Sequence, residues 1–189
     1  INIKSYHEGA DVWINGKETG SLTPFTKKLQ SGYYNYTLKK GMYEDHDSGF
    51  IVQANVTTFV KDTLAPKFGS MFVASVPEQG AEIMIDGITQ DQKTPAEINF
   101  LPVGKHKLVL RKEMFEPYET EFEIKAGVRH EEYTSLNPTF GVVNITTDHD
   151  AVIYIDEDSV GTGQYSGKLL FGFYKLEAKR KKNYDFKHM

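Results

Sequence analysis

Val76-Pro77-Glu78-Gln79-Gly80-Ala81-Glu82-Ile83-Met84-Ile85-Asp86-Gly87 joins a tight turn, a short strand and a hairpin signal, and its pattern occurs three times in the chain. The earlier copy is Tyr6-His7-Glu8-Gly9-Ala10-Asp11-Val12-Trp13-Ile14-Asn15-Gly16. The later one is Thr147-Asp148-His149-Asp150-Ala151-Val152-Ile153-Tyr154-Ile155-Asp156-Glu157. With Ala10, Ala81 and Ala151 as anchors, the spacings are 71 and 70 residues. A fixed period of this kind marks an array of similar units. Over 189 residues it predicts three units, each of roughly 50–70 residues and close to the lower size at which a domain folds alone.

The register extends well beyond the quoted stretch. Gly32, Tyr43, Ala54, Val56, Leu64, Pro66, Phe68 and Gly69 recur as Gly104, Phe115, Ala126, Val128, Leu136, Pro138, Phe140 and Gly141, all offset by 72. The units are therefore set at 1–67, 68–139 and 140–189. Within the first, Ile1 to Ser5 and Ala10 to Asn15 alternate apolar and polar residues, the pattern of strands with one buried face. Asn15-Gly16 is a hairpin signal because both residues tolerate the positive φ of a type I′ turn. Leu22-Thr23-Pro24-Phe25 reads as an edge strand or strand start, since proline has no N–H to give a ladder. Tyr33 to Lys40, Phe50 to Val56 and Thr57 to Leu64 supply further strands.

The second unit repeats this order with Ser70 to Val76, Ala81 to Asp86, Ala96 to Phe100, Lys105 to Arg111, Tyr118 to Lys125 and Arg129 to Leu136. The third runs through Val142 to Thr147, Ala151 to Ile155, Gly167 to Phe171 and Phe173 to Lys179. No segment shows a helical period with caps at both ends. The expected fold class is all-β: three tandem small β-sandwich repeats, Greek-key and either Ig-like or prealbumin-like. The third is expected to be incomplete, because no counterpart of the two strands that close the others is seen before Met189. The connections Leu64 to Gly69 and Leu136 to Gly141 are short and contain proline, so neighbouring units should keep a limited range of angles.

Composition removes several functions. Lys plus Arg is 22 and Asp plus Glu is 26, a net charge of −4, which gives no electrostatic footprint for nucleic acid or an anionic membrane. There is no cysteine, hence no disulfide framework, thiolate nucleophile or Cys-based zinc site. No apolar run approaches a membrane span, so direct membrane insertion by this segment is not expected. The chain starts at Ile1, which reads as a mature or excised fragment.

Alternation also separates two faces of the strand in each copy. Ala10, Val12 and Ile14, Ala81, Ile83 and Ile85, and Ala151, Ile153 and Ile155 share one face, which must be the core. The opposite face carries Trp13, Met84 and Tyr154 at the same place in every unit. Large residues facing outward mark a contact. Two readings stand: a stacking platform for a sugar or a patch for a protein partner, and packing against the neighbouring unit or following loop. On the strand after each Leu-x-x-Gly, Tyr34, Tyr36, His106 and Tyr174 are expected inward, with polar tips at the rim. Tyr33, Tyr43, Phe115 and Tyr184 either widen an aromatic surface or pack a corner.

The quoted stretch and its repeats resemble the PEGA domain family. The name motif is recognisable in Pro77-Glu78-Gln79-Gly80-Ala81, with one inserted residue, and in Glu8-Gly9-Ala10. Asn15-Gly16 and Asp86-Gly87, Thr23-Pro24 and Thr94-Pro95, and Leu29 to Gly32 and Leu101 to Gly104 follow in family-like order. The third unit departs from the pattern: Asp148-His149-Asp150-Ala151 replaces the name motif and Tyr165-Ser166-Gly167 stands where Thr-Pro is expected. The resemblance implies β-sandwich modules of envelope or surface proteins, placed in the periplasm or at the cell surface, with no shared catalytic activity.

Chemistry-bearing motifs are sparse. Six histidines are present without the paired spacing of a zinc enzyme. Asp148-His149-Asp150 and Asp156-Glu157-Asp158 carry carboxylates of the kind Ca²⁺ accepts. The second lacks the Gly and distal Glu of an EF-hand loop, and turn hydrogen bonding explains both. Gly161-Thr162-Gly163 lacks the lysine and helix of a phosphate loop. No catalytic residue, metal or cofactor is expected. The expected role is a non-catalytic spacer and interaction scaffold in a bacterial envelope or surface protein, with a protein or cell-wall glycan as partner. The alternative is carbohydrate or cell-wall binding through Trp13 and Tyr154.

Overall fold

The computed structural model describes residues 1–180, and every regular element among them is a β-strand. The first unit contains β1 (Asn2–Ser5), β2 (Asp11–Ile14), β3 (Lys17–Leu22), β4 (Phe25–Thr26), β5 (Gly32–Lys39), β6 (His46–Val52) and β7 (Phe59–Asp62). The second contains β8 (Phe68–Val76), β9 (Glu82–Ile85), β10 (Ile88–Lys93), β11 (Ala96–Pro102), β12 (Gly104–Arg111), β13 (Tyr118–Ile124) and β14 (Arg129–Ser135). The third contains β15 (Phe140–Thr146), β16 (Ala151–Ile155), β17 (Asp158–Thr162), β18 (Gln164–Leu170) and β19 (Leu176–Arg180).

Each of the first two units is a sandwich of a three-stranded and a four-stranded sheet. The orders are β4-β1-β7 with β3-β2-β5-β6, and β11-β8-β14 with β10-β9-β12-β13. The larger sheets are antiparallel throughout. In the smaller ones the first strand pairs antiparallel on one side and parallel on the other, with Asn2 opposite Phe59 and Ser70 opposite Arg129. The third unit repeats the order as β15-β18 and β17-β16-β19. Among the described residues β15 and β19 each have one partner.

Alternation decides the packing. Ile3 and Phe25 from one sheet meet Val12, Tyr36, Leu38, Phe50 and Val52 from the other, closed by Leu64, in one cluster. Met71, Val73 and Ile98 meet Ile83, Ile85, Leu108, Leu110, Phe122 and Ile124 in another, with no residue shared between the two. The anchor alanines Ala10, Ala81 and Ala151 are all buried, as the expected inner face requires.

The Thr-Pro motif has a structural role that its sequence did not show. Thr23 Oγ1 lies 2.6 Å from Ser5 Oγ and accepts from the Ala10 amide at 3.1 Å. Thr94 Oγ1 lies 2.7 Å from Ser75 Oγ and accepts from Ala81 at 2.9 Å. Both pairs are buried, and these bonds offset the cost of desolvating the hydroxyls. In the third unit this place belongs to Gly163, not to Tyr165-Ser166-Gly167. The Gly163 amide donates to Ala151 and its carbonyl accepts from Thr147, as Thr23 does with Ala10 and Gly9. The sequence match failed because glycine carries no hydroxyl to recognise.

Three strands escaped the sequence reading: β3, β10 and β17. Their residues are exposed almost throughout, so they carry no hydrophobic alternation. Each is an edge strand, set against its partner through a register shift. Polar composition and bulges are how sheets keep an edge from pairing further. The expected strand Thr57 to Leu64 is also shorter, forming only over Phe59–Asp62.

Because the two cores share no residue, damage to one should stay local. Replacing the fully buried Ile83 by Ala should cost roughly 2–5 kcal/mol. Amide exchange should accelerate across residues 68–136 and stay unchanged across 1–64. Equal acceleration in both ranges would contradict separate cores.

Candidate functional site

The hairpin after the second strand of each unit is built the same way. Asn15, Asp86 and Asp156 have φ of 49°, 50° and 49°, left-handed values that Asn and Asp tolerate better than other side-chain-bearing residues. Their carboxyl or amide oxygens accept from the Asn35, Lys107 and Lys175 amides at 2.9, 2.8 and 2.7 Å. The acidic turn at Asp156 thus spends a carboxylate oxygen on its own backbone. At Asp148 and Asp150 the carboxylates pair with Arg180 at 2.7 and 3.0 Å. Among the described residues, no group of three metal-ligating side chains converges.

This turn aims the outward residues. Trp13, Met84 and Tyr154 are half-buried, on the face opposite Val12, Ile83 and Ile153. They sit in three different sheets, so no strand register brings two of them side by side. Two of the three are covered by a cation from the adjacent strand. Lys39 Nζ lies 5.2 Å from the Trp13 ring centre and Lys179 Nζ lies 4.7 Å from that of Tyr154, each a cation–π contact. Lys39 is held there by Asp45 at 2.9 Å, and that hydrogen bond raises its pKa. Lys179 is held by Glu177 at 2.9 Å. The sequence assigned neither lysine to a ring, Lys179 being read only as part of a basic run at a solvated strand end, although both lie at matching places near the ends of β5 and β19.

The inward residues follow one rule. Tyr34 OH donates to the Gln30 carbonyl at 3.1 Å and Tyr174 OH to that of Leu170 at 2.8 Å. His106 Nε2 lies 2.8 Å from that of Pro102. In every unit the tip reaches the carbonyl four residues back, but Tyr174, expected on the inward face of a strand, is exposed and stands just before β19. Tyr36 is buried and its hydroxyl donates to Asp62; burial raises the Asp62 pKa. His106 adds a contact at 2.6 Å to Asp86. Burial opposes its charge, yet bonds to Asp86 and the Pro102 carbonyl outweigh that and raise its pKa. The Lys107 amide and then His106 lower that of Asp86. Tyr33 is exposed and lies across Gly49. Tyr184 falls outside the described residues.

Tyr43 and Phe115 pack corners, and those corners are the joints. The Lys67 amide donates back to Met42 at 2.8 Å, and its carbonyl accepts from Val103 of the next unit at 3.0 Å. Thr139 repeats this, donating to Met114 at 2.8 Å and accepting from Phe171 at 3.0 Å. One residue is thus bonded to both units it connects. Tyr43 forms a bridge to Pro66 and Phe115 one to Pro138. Their rings meet Phe68 and Phe140 edge to face at 5.5 and 5.6 Å.

Two outcomes test this geometry. Trp13 is the only tryptophan, so Lys39→Ala should increase quenching of its fluorescence by an added solute; unchanged quenching would mean that Lys39 does not shield the ring. The His106–Asp86 pair should make the second unit pH-dependent. A raised His106 pKa contributes stability that is complete below the unfolded value and lost as pH rises through the folded one. A lowered Asp86 pKa contributes stability present above its unfolded value and lost as pH falls. Unfolding temperature should therefore drop as pH rises above the unfolded histidine value of about 6.5. His106→Tyr, which copies the first unit, should flatten that slope; identical slopes would refute the pairing.

One comparison with known proteins, the family profile, bears on the repeat. No curated protein matches the chain. Among solved structures, the Bacillus anthracis TIE protein is similar at 16% identity with a TM-score of 0.38. The match covers 95% of this chain and 44% of that one, so the chain spans less than half the length of that protein. The PEGA domain profile matches twice in succession, over residues 1–67 and 68–140, and by that double match the chain belongs to the PEGA domain family.

Proposed function

We propose that this chain is a non-catalytic spacer and interaction scaffold of a bacterial envelope or surface protein. Its repeated units hold whatever flanks them at a set separation. The observation that carries this reading is the doubly bonded joint residue, Lys67 and again Thr139. A backbone residue hydrogen-bonded to the units on either side resists the bending that a free linker permits. Residues 140–180, the described part of the expected third repeat, are in this reading of the same build, since Asp156, Tyr174, Gly163 and Thr139 make the bonds of their counterparts.

Polar groups support the absence of catalysis by being occupied structurally. The buried hydroxyls of Ser5, Thr23, Ser75 and Thr94 bond one another and the name-motif turn, and His106 is held between Asp86 and a carbonyl. Placement at the periplasm or cell surface rests on family membership, because PEGA domains are generally found in extracellular and periplasmic proteins. A protein is the favoured partner. Lysines over the faces of Trp13 and Tyr154 leave less ring for a sugar to stack on, which weighs against the glycan reading.

Small-angle scattering of the chain should fit a narrow set of inter-unit arrangements, and two glycines inserted after Lys67 should broaden it. Equal breadth before and after insertion would overturn the spacer. Retention on peptidoglycan that Trp13→Ala abolishes would instead favour glycan binding.

A further inference from the structure

The two joints share their backbone bonds and differ in side-chain chemistry. At the first, rings run in series from the name-motif turn of one unit to β11 of the next. Tyr6 meets His7 at 5.1 Å, His7 meets Tyr43 at 4.8 Å, Tyr43 meets Phe68 at 5.5 Å and Phe68 meets Phe100 at 5.0 Å. At the second, Phe115 meets Phe140 at 5.6 Å and the ring series stops there. Phe140 is instead covered by Lys168 Nζ, 4.4 Å from the ring centre. The same ammonium pairs with Glu78, in the name-motif turn of the second unit. Lys112 flanks Glu78 at 3.8 Å.

The two contacts come from corresponding strands, β11 and β18. Phe68 stands opposite Pro102 and Phe140 opposite Leu170. Phe100 and Lys168 are each two residues before those partners, but Phe100 sits in the register shift of β11 at φ 60° while Lys168 is paired regularly with Val142, so the two side chains reach the joint from matching sequence positions on differently shaped strands. A ring reaches the joint in one unit and an ammonium group reaches it in the other. Both Lys168 and Glu78 are partly exposed, at 42% and 40%, so dissolved ions reach the pair. Aromatic contact is not weakened by salt, whereas an ion pair open to water is. The cation–π contact of Lys168 is likewise electrostatic.

We infer that the joint between the second and third units is an electrostatic clasp, tightened at low ionic strength and loosened at high. The joint between the first and second is an aromatic lock: its charged contacts, Lys67 with Glu44 at 3.3 Å and Lys40 over the Tyr43 ring at 5.8 Å, stay within the first unit, and among the described residues no ion pair spans it. One chain thus contains a fixed joint and an adjustable one. The adjustable joint is made where Glu78 of the name-motif turn meets the following unit. This deepens the spacer reading and rests on it for its consequence, while the difference between the joints stands on contacts alone.

The absence of cysteine allows spin labels to be placed in matched pairs. Glu18, Thr89 and Ser159 are exposed and lie opposite Trp13, Met84 and Tyr154. Glu18→Cys with Thr89→Cys spans the first joint, and Thr89→Cys with Ser159→Cys spans the second. Raising NaCl from about 0.05 M to about 1 M should broaden the second distance distribution and leave the first unchanged. Lys168→Phe, which copies Phe100, should remove the salt response. A second joint that ignores salt, or both joints broadening equally, would overturn the inference while leaving the spacer intact. A first joint that is broad at every salt concentration would instead overturn the spacer.

Discussion

The parallel ladder between the first and last strands of a unit is the constraint on which the rest of the structure depends. Ser70 to Val76 runs beside Arg129 to Ser135 in the same direction, as Asn2 to Ser5 runs beside Phe59 to Asp62. An antiparallel last strand would return the chain beside the point where the unit began. A parallel one delivers it to the opposite end, where the next unit starts. The same ladder seals the core, since β8 becomes the central strand of its sheet and buries Met71 and Val73 completely. Sandwich closure and end-to-end succession therefore follow from one pairing.

That succession places the linker against the corner between β5 and β6, or β12 and β13. Met42 and Met114 sit there at φ of 64° and 63° and accept the amides of Lys67 and Thr139. The backbone part of the joint is thus fixed by fold geometry and is the same at both. The side-chain part is free to vary, because Phe100 and Lys168 lie outside both cores. A repeat protein can change the behaviour of a joint by one residue without disturbing a sandwich, as long as nearest neighbours contribute the coupling.

Much of this was legible in the residues. Strands with one face in a core announced themselves by alternation, and Ala10, Ala81 and Ala151 marked the same inner position in each copy. Asn15-Gly16 and Asp86-Gly87 gave the turn, because left-handed backbone restricts which residues can stand there. Tyr34, Tyr36 and His106 were placed inward correctly for the same reason of period, whereas Tyr174 precedes β19 and is exposed. By contrast β3, β10 and β17 were silent, since solvated edge strands have no pattern to read. Thr23 was read as part of a strand start and Thr94 only as part of a family-like Thr-Pro pair, and both proved to be buried caps on the name-motif turn. The outward Trp13 and Tyr154 were seen, but the lysines over them were not. A cation on a neighbouring strand acquires that role only when the strands pair.

The sequence by itself determined the repeat, the all-β class, the family and the face of each strand that lies inside, because these depend on period and local backbone preference. Only the tertiary structure decided which strands are neighbours, that the last runs parallel to the first, and that Lys67 and Thr139 bond in two directions. It also decided that Glu78 reaches across to Lys168, 90 residues away. Those features join residues far apart along the chain, and nothing in the spacing of residues records which distant partners folding will bring into contact.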